Sequence, residues 1–190
     1  MGKRAAAVEE TRRRIVDATR ALHGEQGITA TSWEDIAARA GVGVGTVYRH
    51  FPSVDELIPA CGRVTAERLA LPAPREAAAG FDGAEGAARI RRLVGEAYAI
   101  YERGAPELRA VRRERDVHPA VTRTAEDLEA ALEALADAAL APFECSDEDR
   151  RLVRAMLDLG TWDALRGQGL AQQAAVGAVA DLLASRVLAR

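Results

Sequence analysis

Apolar side chains recur every three or four residues along most of the chain, which is the spacing of one face of an α-helix. No segment shows the alternation of apolar and polar residues that a half-buried strand requires. The pattern therefore predicts an all-α protein with about nine helices. The predicted helices cover residues 9–24, 32–40, 43–50, 54–70, 90–103, a short one from 106, 119–140, 146–165 and 170–187.

The second and third predicted helices are short and separated by a glycine. Thr31 or Ser32 can cap the first of the pair, with Glu34 or Asp35 about three residues later to complete a capping box. Gly41 follows its last apolar residue, at the position where a left-handed backbone costs glycine least. This arrangement predicts a helix-turn-helix, although a simple helical hairpin would give the same pattern.

Composition divides the chain into a basic front and an acidic remainder. The net charge is −3, but residues 1–50 hold eight Lys/Arg against six Asp/Glu, and residues 51–190 hold eighteen against twenty-three. Lys3, Arg4 and the run of arginines at 12–14 concentrate positive charge near the N-terminus. Such a distribution suits contact with phosphate at one end, or a solvated basic tail.

The third predicted helix is too short and too polar for a core helix. We expect Val44, Gly45, Thr46 and Arg49 to face outward, as small or hydrogen-bonding groups that fit a major groove. Two further side chains at its end have polar tips that can reach phosphates; they are Tyr48 and His50.

The segment ITATSWEDIAARAGVGVGTVYRHFPSVDEL resembles the DNA-binding domain of the TetR family of bacterial regulators. The resemblance implies a dimer that binds a palindromic double-stranded DNA operator and is released by a small-molecule effector. It implies base or phosphate contacts for the residues above, and a phosphate contact at Ser32. Two departures are Val54, where the family usually has Lys, and Gly43, where it usually has Ser.

On this basis we expect a DNA-binding domain over residues 1–56 and a helical effector-binding and dimerisation domain over 57–190. The Pro- and Gly-rich segment 71–84 is predicted to connect helices. The last two predicted helices carry small residues that permit close approach of a second copy, so we expect a homodimer through them, unless their apolar stripes are internal core.

Larger amphipathic side chains of the second domain are candidates for an apolar or aromatic effector site, or ordinary core residues. They are Tyr98, Tyr101, His118, Met156 and Trp162. A cluster of arginines at 109, 112, 113 and 115 could attract an anion, although a solvated helix face gives the same pattern.

No catalytic constellation and no metal-ligand spacing is present, so the sequence predicts neither an enzyme nor a cofactor or metal site. Cys61 and Cys145 have no CxxC spacing and are expected to be reduced thiols. The chain has no apolar run long enough for a membrane span and is expected to be cytoplasmic. The leading hypothesis is a ligand-responsive repressor; a helical protein-interaction adaptor and, less favoured, an enzyme with a fused helical module are the alternatives.

Overall fold

The computed structural model describes residues 2–71, 73 and 76–189, and confirms an all-α architecture: this described part contains nine α-helices and no strand. A short 3₁₀ turn occupies Ala79–Phe81 within the predicted connection, of which residues 72, 74 and 75 lie outside the description. The helices are α1 Lys3–Gln26, α2 Trp33–Ala40, α3 Val44–His50, α4 Val54–Leu69, α5 Gly86–Arg113, α6 Pro119–Leu140, α7 Asp147–Met156, α8 Leu159–Gly167 and α9 Gln172–Val187.

The predicted break after residue 103 is wrong, because α5 continues through both Gly104 and Pro106. A Cβ on Gly104 would lie 2.6 Å from Cδ2 of the fully buried Leu69, so this glycine makes room for a packed side chain within a helix. Gly24, predicted to end the first helix, likewise lies inside α1, where its ideal Cβ is 3.2 Å from Cβ of Pro106. Both glycines serve close packing rather than helix termination.

The single helix predicted over residues 146–165 is also wrong, because it is divided into α7 and α8. Asp158 is the N-cap of α8, and its carboxylate accepts a hydrogen bond from the N–H of Gly160 at 2.7 Å. The Thr161 hydroxyl donates to the Ala155 carbonyl at 2.7 Å, across the break. Side-chain groups therefore replace the helical hydrogen bonds that are lost at this point.

The first of two compact units comprises residues up to 69 together with Gly104–Asp127. Its main core lies where α1, α2, α3 and α4 meet, and is formed by aliphatic side chains with one phenylalanine and one cysteine. The buried members include Ile15, Leu22, Ile36, Val47, Phe51, Leu57 and Cys61. A buried ion pair reinforces it: Arg20 contacts Glu107 at 3.1 Å, and both side chains are less than one-fifth exposed.

The second unit comprises residues 70–103 and 128 onward. Its buried side chains come from Ala77 and Phe81 before α5, the N-terminal part of α5, the C-terminal part of α6, and α7 to α9. Arg89 bridges several of these segments, because its guanidinium donates to the carbonyls of Ala138 and Ala139 at the end of α6 and to that of Phe81. The predicted functional boundary at residues 56/57 stays a prediction.

No helix within the described ranges is both long and apolar enough to cross a membrane.

Candidate nucleic-acid interface

Both ends of α2 are defined by local interactions. The Ser32 hydroxyl accepts a hydrogen bond from the Asp35 N–H at 3.0 Å, and the Asp35 carboxylate accepts from the Ser32 N–H, so the capping box forms as predicted. Hydrogen bonds from the Ser32 hydroxyl and N–H also lower the pKa of Asp35. Gly41 ends α2 in the left-handed region, with φ of 66°. The left-handed conformation of Gly41 thus turns the chain at the end of α2, before α3 begins.

The α3 helix is attached to the first unit through one face. Val47 and the residue that follows the helix, Phe51, are both fully buried. Gly43 provides no side-chain cap; its carbonyl accepts from the N–H groups of Thr46 and Val47 at 2.8 and 3.3 Å. A seven-residue helix is marginal alone, so α3 depends on this packing.

The opposite face of α3 is open to solvent, and it carries three of the predicted DNA contacts: Gly45, Tyr48 and Arg49. Thr46 and His50 are half-buried. Val44 departs from the expected outward orientation, because it is half-buried and packs against the core of the first unit.

Tyr48 is held in place although it is 45% exposed. Its ring centroid lies 4.9 Å from that of Trp33, with a tilt of 31° between the ring planes. This contact joins α3 to the first residue of α2 and fixes where the phenol projects.

Two of the predicted polar contacts differ in availability. The Arg49 guanidinium has no hydrogen bond or ion pair within the part of the chain that the structure describes. The Ser32 hydroxyl, in contrast, already donates to the Asp35 carboxylate at 2.7 Å. Arg49 is therefore ready to bind an anion, whereas a phosphate at Ser32 would have to compete with a carboxylate.

The basic segment of α1 has roles that its sequence did not indicate. Arg13 pairs with Glu10 and Asp17 on its own helix, at 2.7 and 3.0 Å. Arg12 and Arg14 contact the ends of α3 and α2, respectively. Nothing in the helical pattern distinguishes these three neighbours; only their directions around the helix separate them. The side chain of Lys3 lies outside the described structure.

The predicted effector residues of the second unit form a packed, hydrogen-bonded cluster. The Tyr98 hydroxyl donates to the Met156 carbonyl at 2.9 Å, and the Tyr101 hydroxyl donates to the Leu157 carbonyl at 2.6 Å. Burial, reinforced by the charge of Asp158, raises the pKa of Tyr98 to about 12, which keeps its phenol protonated as a donor. These hydroxyls satisfy carbonyls at the end of α7.

Trp162 belongs to the same cluster. Its ring lies 5.9 Å from that of Tyr101, and its indole N–H donates to the Gln172 side chain at 2.9 Å. Tyr98, Tyr101 and Trp162 are at most 5% exposed, whereas Met156 is half-buried.

His118 does not belong to the second unit, where it was expected. It lies in the first unit, just before α6, and its Nδ1 accepts a hydrogen bond from the Ala120 N–H at 3.2 Å. Its Nε2 is 3.9 Å from the Asp55 carboxylate. The ring thus stabilises the start of a helix.

Two of the clustered arginines line a groove of about 700 Å³ in the first unit. Arg109 and Arg113 share it with Glu25 and Glu114, and Arg113 pairs with Glu114 at 2.9 Å. The groove thus carries both signs of charge. No group of His, Cys, Asp and Glu within the described residues could hold a metal ion, and the buried Cys61 is a free thiol.

The capped helix α2, the turn at Gly41 and the short exposed helix α3 together form a helix-turn-helix. Residues 15–61 match the model of a family described as bacterial regulatory proteins, tetR family. Over that segment the chain is similar to this family.

Curated relatives match over part of the chain. The chain is 45% identical over 75 residues to the HTH-type transcriptional repressor KstR of Mycolicibacterium smegmatis, which covers 39% of this chain and 36% of the relative. It is 43% identical over 58 residues to the HTH-type transcriptional regulator SrpR of Pseudomonas putida, covering 30% and 27%. The matched part thus spans about a third or less of these relatives' length.

Solved structures extend the likeness of fold to nearly the whole chain. A tetR-family regulator from Mesorhizobium loti superposes with a TM-score of 0.71 at 20% identity, covering 96% of each chain. The transcriptional regulator FadR of Bacillus subtilis, solved in complex with stearoyl-CoA, gives a TM-score of 0.68 at 17% identity, covering 91% of this chain and 97% of FadR.

Proposed function

We propose that this chain is a transcriptional repressor that binds a palindromic double-stranded DNA operator through α3, as a homodimer, and leaves it when a small effector binds. The observation that carries the proposal is the exposed face of α3, with an unpaired guanidinium at Arg49 beside the oriented ring of Tyr48. A helix that is anchored by one face and open on the other is what a major groove admits.

The side chains on that face match the chemistry of DNA. A guanidinium can bind a guanine edge or a phosphate with two hydrogen bonds, and Arg49 has no competing partner in the described structure. The Tyr48 hydroxyl suits a phosphate contact. Ser32 and His50 remain proposed phosphate contacts, and Val44 and Thr46 remain proposed groove contacts that would use their exposed portions.

Gly45 gives an independent reason to expect a close partner at α3. Its ideal Cβ would meet no atom within 4 Å, and its φ is not positive, so neither packing nor backbone conformation inside the chain requires glycine. Glycine in a helix costs about 0.5–1 kcal/mol relative to alanine. A glycine kept on an open helix face is expected where another molecule approaches the backbone closely.

Repression and dimerisation are proposed from the relatives and from the surface of α9. KstR, to which this chain is 45% identical over 75 residues, is named a repressor. On α9, Ala174, Ala178 and Leu182 are exposed at helical spacing, and Leu182 is 64% exposed. Leu183 and Val187, in contrast, are buried within the chain and belong to its core. The first three side chains are the proposed contact with a second copy.

The effector proposal rests on fold and composition. FadR, which shares this fold, was solved with a fatty acyl thioester, and the second unit of this chain has an apolar, aromatic interior. Because the hydroxyls of Tyr98 and Tyr101 are engaged with backbone carbonyls, an apolar or aromatic effector would meet ring edges and the Met156 side chain. His118 is no longer included in this proposed site.

The test begins with duplexes that the parent protein selects from a random-sequence pool, labelled for fluorescence anisotropy at several salt concentrations. Gly45→Ala is the decisive variant. We expect it to be as stable as the parent or up to about 1 kcal/mol more stable. Its operator affinity should fall at least about tenfold, a change of about 1.4 kcal/mol, because the methyl group occupies space needed by the DNA.

Gly167→Ala is the matched control, since Gly167 is also helical and also meets no atom within 4 Å of its ideal Cβ. It should bind the operator like the parent. If Gly45→Ala also bound like the parent, the proposed contact face would be wrong. If the parent selected no duplex and showed no salt-dependent binding, an adaptor role would be favoured instead.

A further inference from the structure

We infer that Arg12 and Arg14 are positioning residues, which hold α3 and α2 in the geometry that reads DNA, rather than phosphate contacts. This inference rests on the proposed function. Both arginines belong to the basic N-terminal segment, and from the sequence alone they could equally belong to an arm that binds phosphate.

Arg12 contacts the end of α3 in two ways. One of its terminal nitrogens donates to the His50 carbonyl, the last of the helix, at 3.1 Å. The carbon at the centre of the guanidinium lies 4.1 Å from the centroid of the Phe51 ring, which is fully buried. The planar cation thus binds a helix C-terminal carbonyl with an edge and an aromatic ring with its face.

Arg14 performs the same task at the end of α2. Its guanidinium donates to the carbonyls of Ala40 and, at 3.1 Å, Gly41. The ideal Cβ of Gly41 would lie only 2.9 Å from the same nitrogen. A glycine here therefore provides both the left-handed backbone of the turn and the space for the cation that binds its carbonyls.

The two contacts together connect α1 to the C-terminal ends of both α2 and α3. Arg12 is half-buried, and its guanidinium is directed at α3, which has no side-chain cap at its start. Arg13, between them, is directed away and forms ion pairs within α1 while 60% exposed. We therefore expect loss of the Arg12 contacts to weaken the end of α3 even where the positive charge is kept.

Substitution by lysine distinguishes a positioning role from a direct phosphate contact. A phosphate accepts an ammonium as well as a guanidinium, but an ammonium cannot form a planar stack on Phe51 and an edge-on hydrogen bond at once. For Arg12→Lys we expect operator affinity to fall about tenfold, nonspecific affinity to change less than about twofold, and the slope of log affinity against log salt to stay unchanged. Arg13→Lys, as the control, should bind like the parent.

A phosphate contact predicts a different outcome. Arg12→Lys would bind like the parent, and Arg12→Gln would lower the salt slope by about 0.9 and weaken specific and nonspecific binding alike. That result would overturn the inference. If Arg12→Lys fails to fold, Arg14→Lys tests the equivalent contact at the end of α2. The same difference between specific and nonspecific binding is expected for it.

Hydrogen exchange in the DNA-free protein distinguishes failure of this inference from failure of the proposed function. The Phe51 N–H donates to the Val47 carbonyl at 2.8 Å and reports on the last turn of α3. We expect this amide to exchange about tenfold faster in Arg12→Lys than in Arg13→Lys. Equal exchange in the two variants would overturn the positioning role whether or not the protein binds DNA.

Discussion

The tyrosine hydroxyls near the break between α7 and α8 should contribute to stability, and the structure indicates by how much. In Tyr101→Phe the ring keeps its packing, but the carbonyl of Leu157 loses the donor that lies 2.6 Å away. Tyr101 is 1% exposed, so water cannot replace that donor without rearrangement. A buried acceptor left without a partner costs about 1–3 kcal/mol, which corresponds to about 3–10 °C in Tm for a chain of this length.

The assay uses the two tryptophans, which lie in different units: Trp33 in the first and Trp162 in the second. In a Trp33→Phe background, the fluorescence of Trp162 follows unfolding of the second unit by urea. Tyr101→Phe should lower the urea midpoint without changing the slope of the free energy against urea. Tyr48→Phe is the control, followed through Trp33 in a Trp162→Phe background. Because that tyrosine is 45% exposed, the change should shift the stability of the first unit by less than about 0.5 kcal/mol.

A Tyr101→Phe variant as stable as the Tyr48→Phe control would refute the reasoning. The hydroxyl would then contribute nothing to the stability of the end of α7, and it would become a candidate polar contact for an effector.

Two further predictions concern pH and assembly. Burial lowers the pKa of His23 to about 4, although the charge of Glu114 acts in the opposite direction. Because the unfolded chain takes up this proton first, near pH 6.5, stability present above that pH is lost as the pH falls, by about 2 kcal/mol between pH 7 and 5. Urea titrations across that range should show a flatter profile for His23→Gln, and an equally steep one would contradict the assignment. Leu182→Glu, at a 64% exposed position, should leave the fold intact but shift sedimentation toward the monomer; an unchanged dimer would exclude this face.

The sequence was most informative where structure is local. The capping box of Ser32 and the left-handed Gly41 follow from residues a few positions apart, so both were predictable. Gly24 and Gly104 were wrongly predicted to end helices. A glycine that ends a helix and a glycine that makes room for a neighbouring side chain look identical in a sequence. The difference depends on Leu69 and Pro106, whose proximity only the fold reveals.

The candidate site shows the same division. The exposed face of α3 was largely predictable, apart from Val44, which packs partly against the core. The roles of Arg12 and His118 were not, because each contacts residues more than thirty or sixty positions away, at His50 and Asp55. Charge and aromatic character were visible in the sequence, but their partners were not.

The composition of the first unit limits how this protein can be divided or recombined. The helices that carry α3 are completed by residues 104–127, which arrive only after the chain has passed through the second unit. A fragment that stops at residue 69 would leave the buried Arg20 without Glu107, the nearer of its two carboxylate partners. Chimaeras that exchange the second unit between relatives would therefore have to graft two separate stretches, and keep the C-terminal part of α5 and the N-terminal part of α6 together with the first unit.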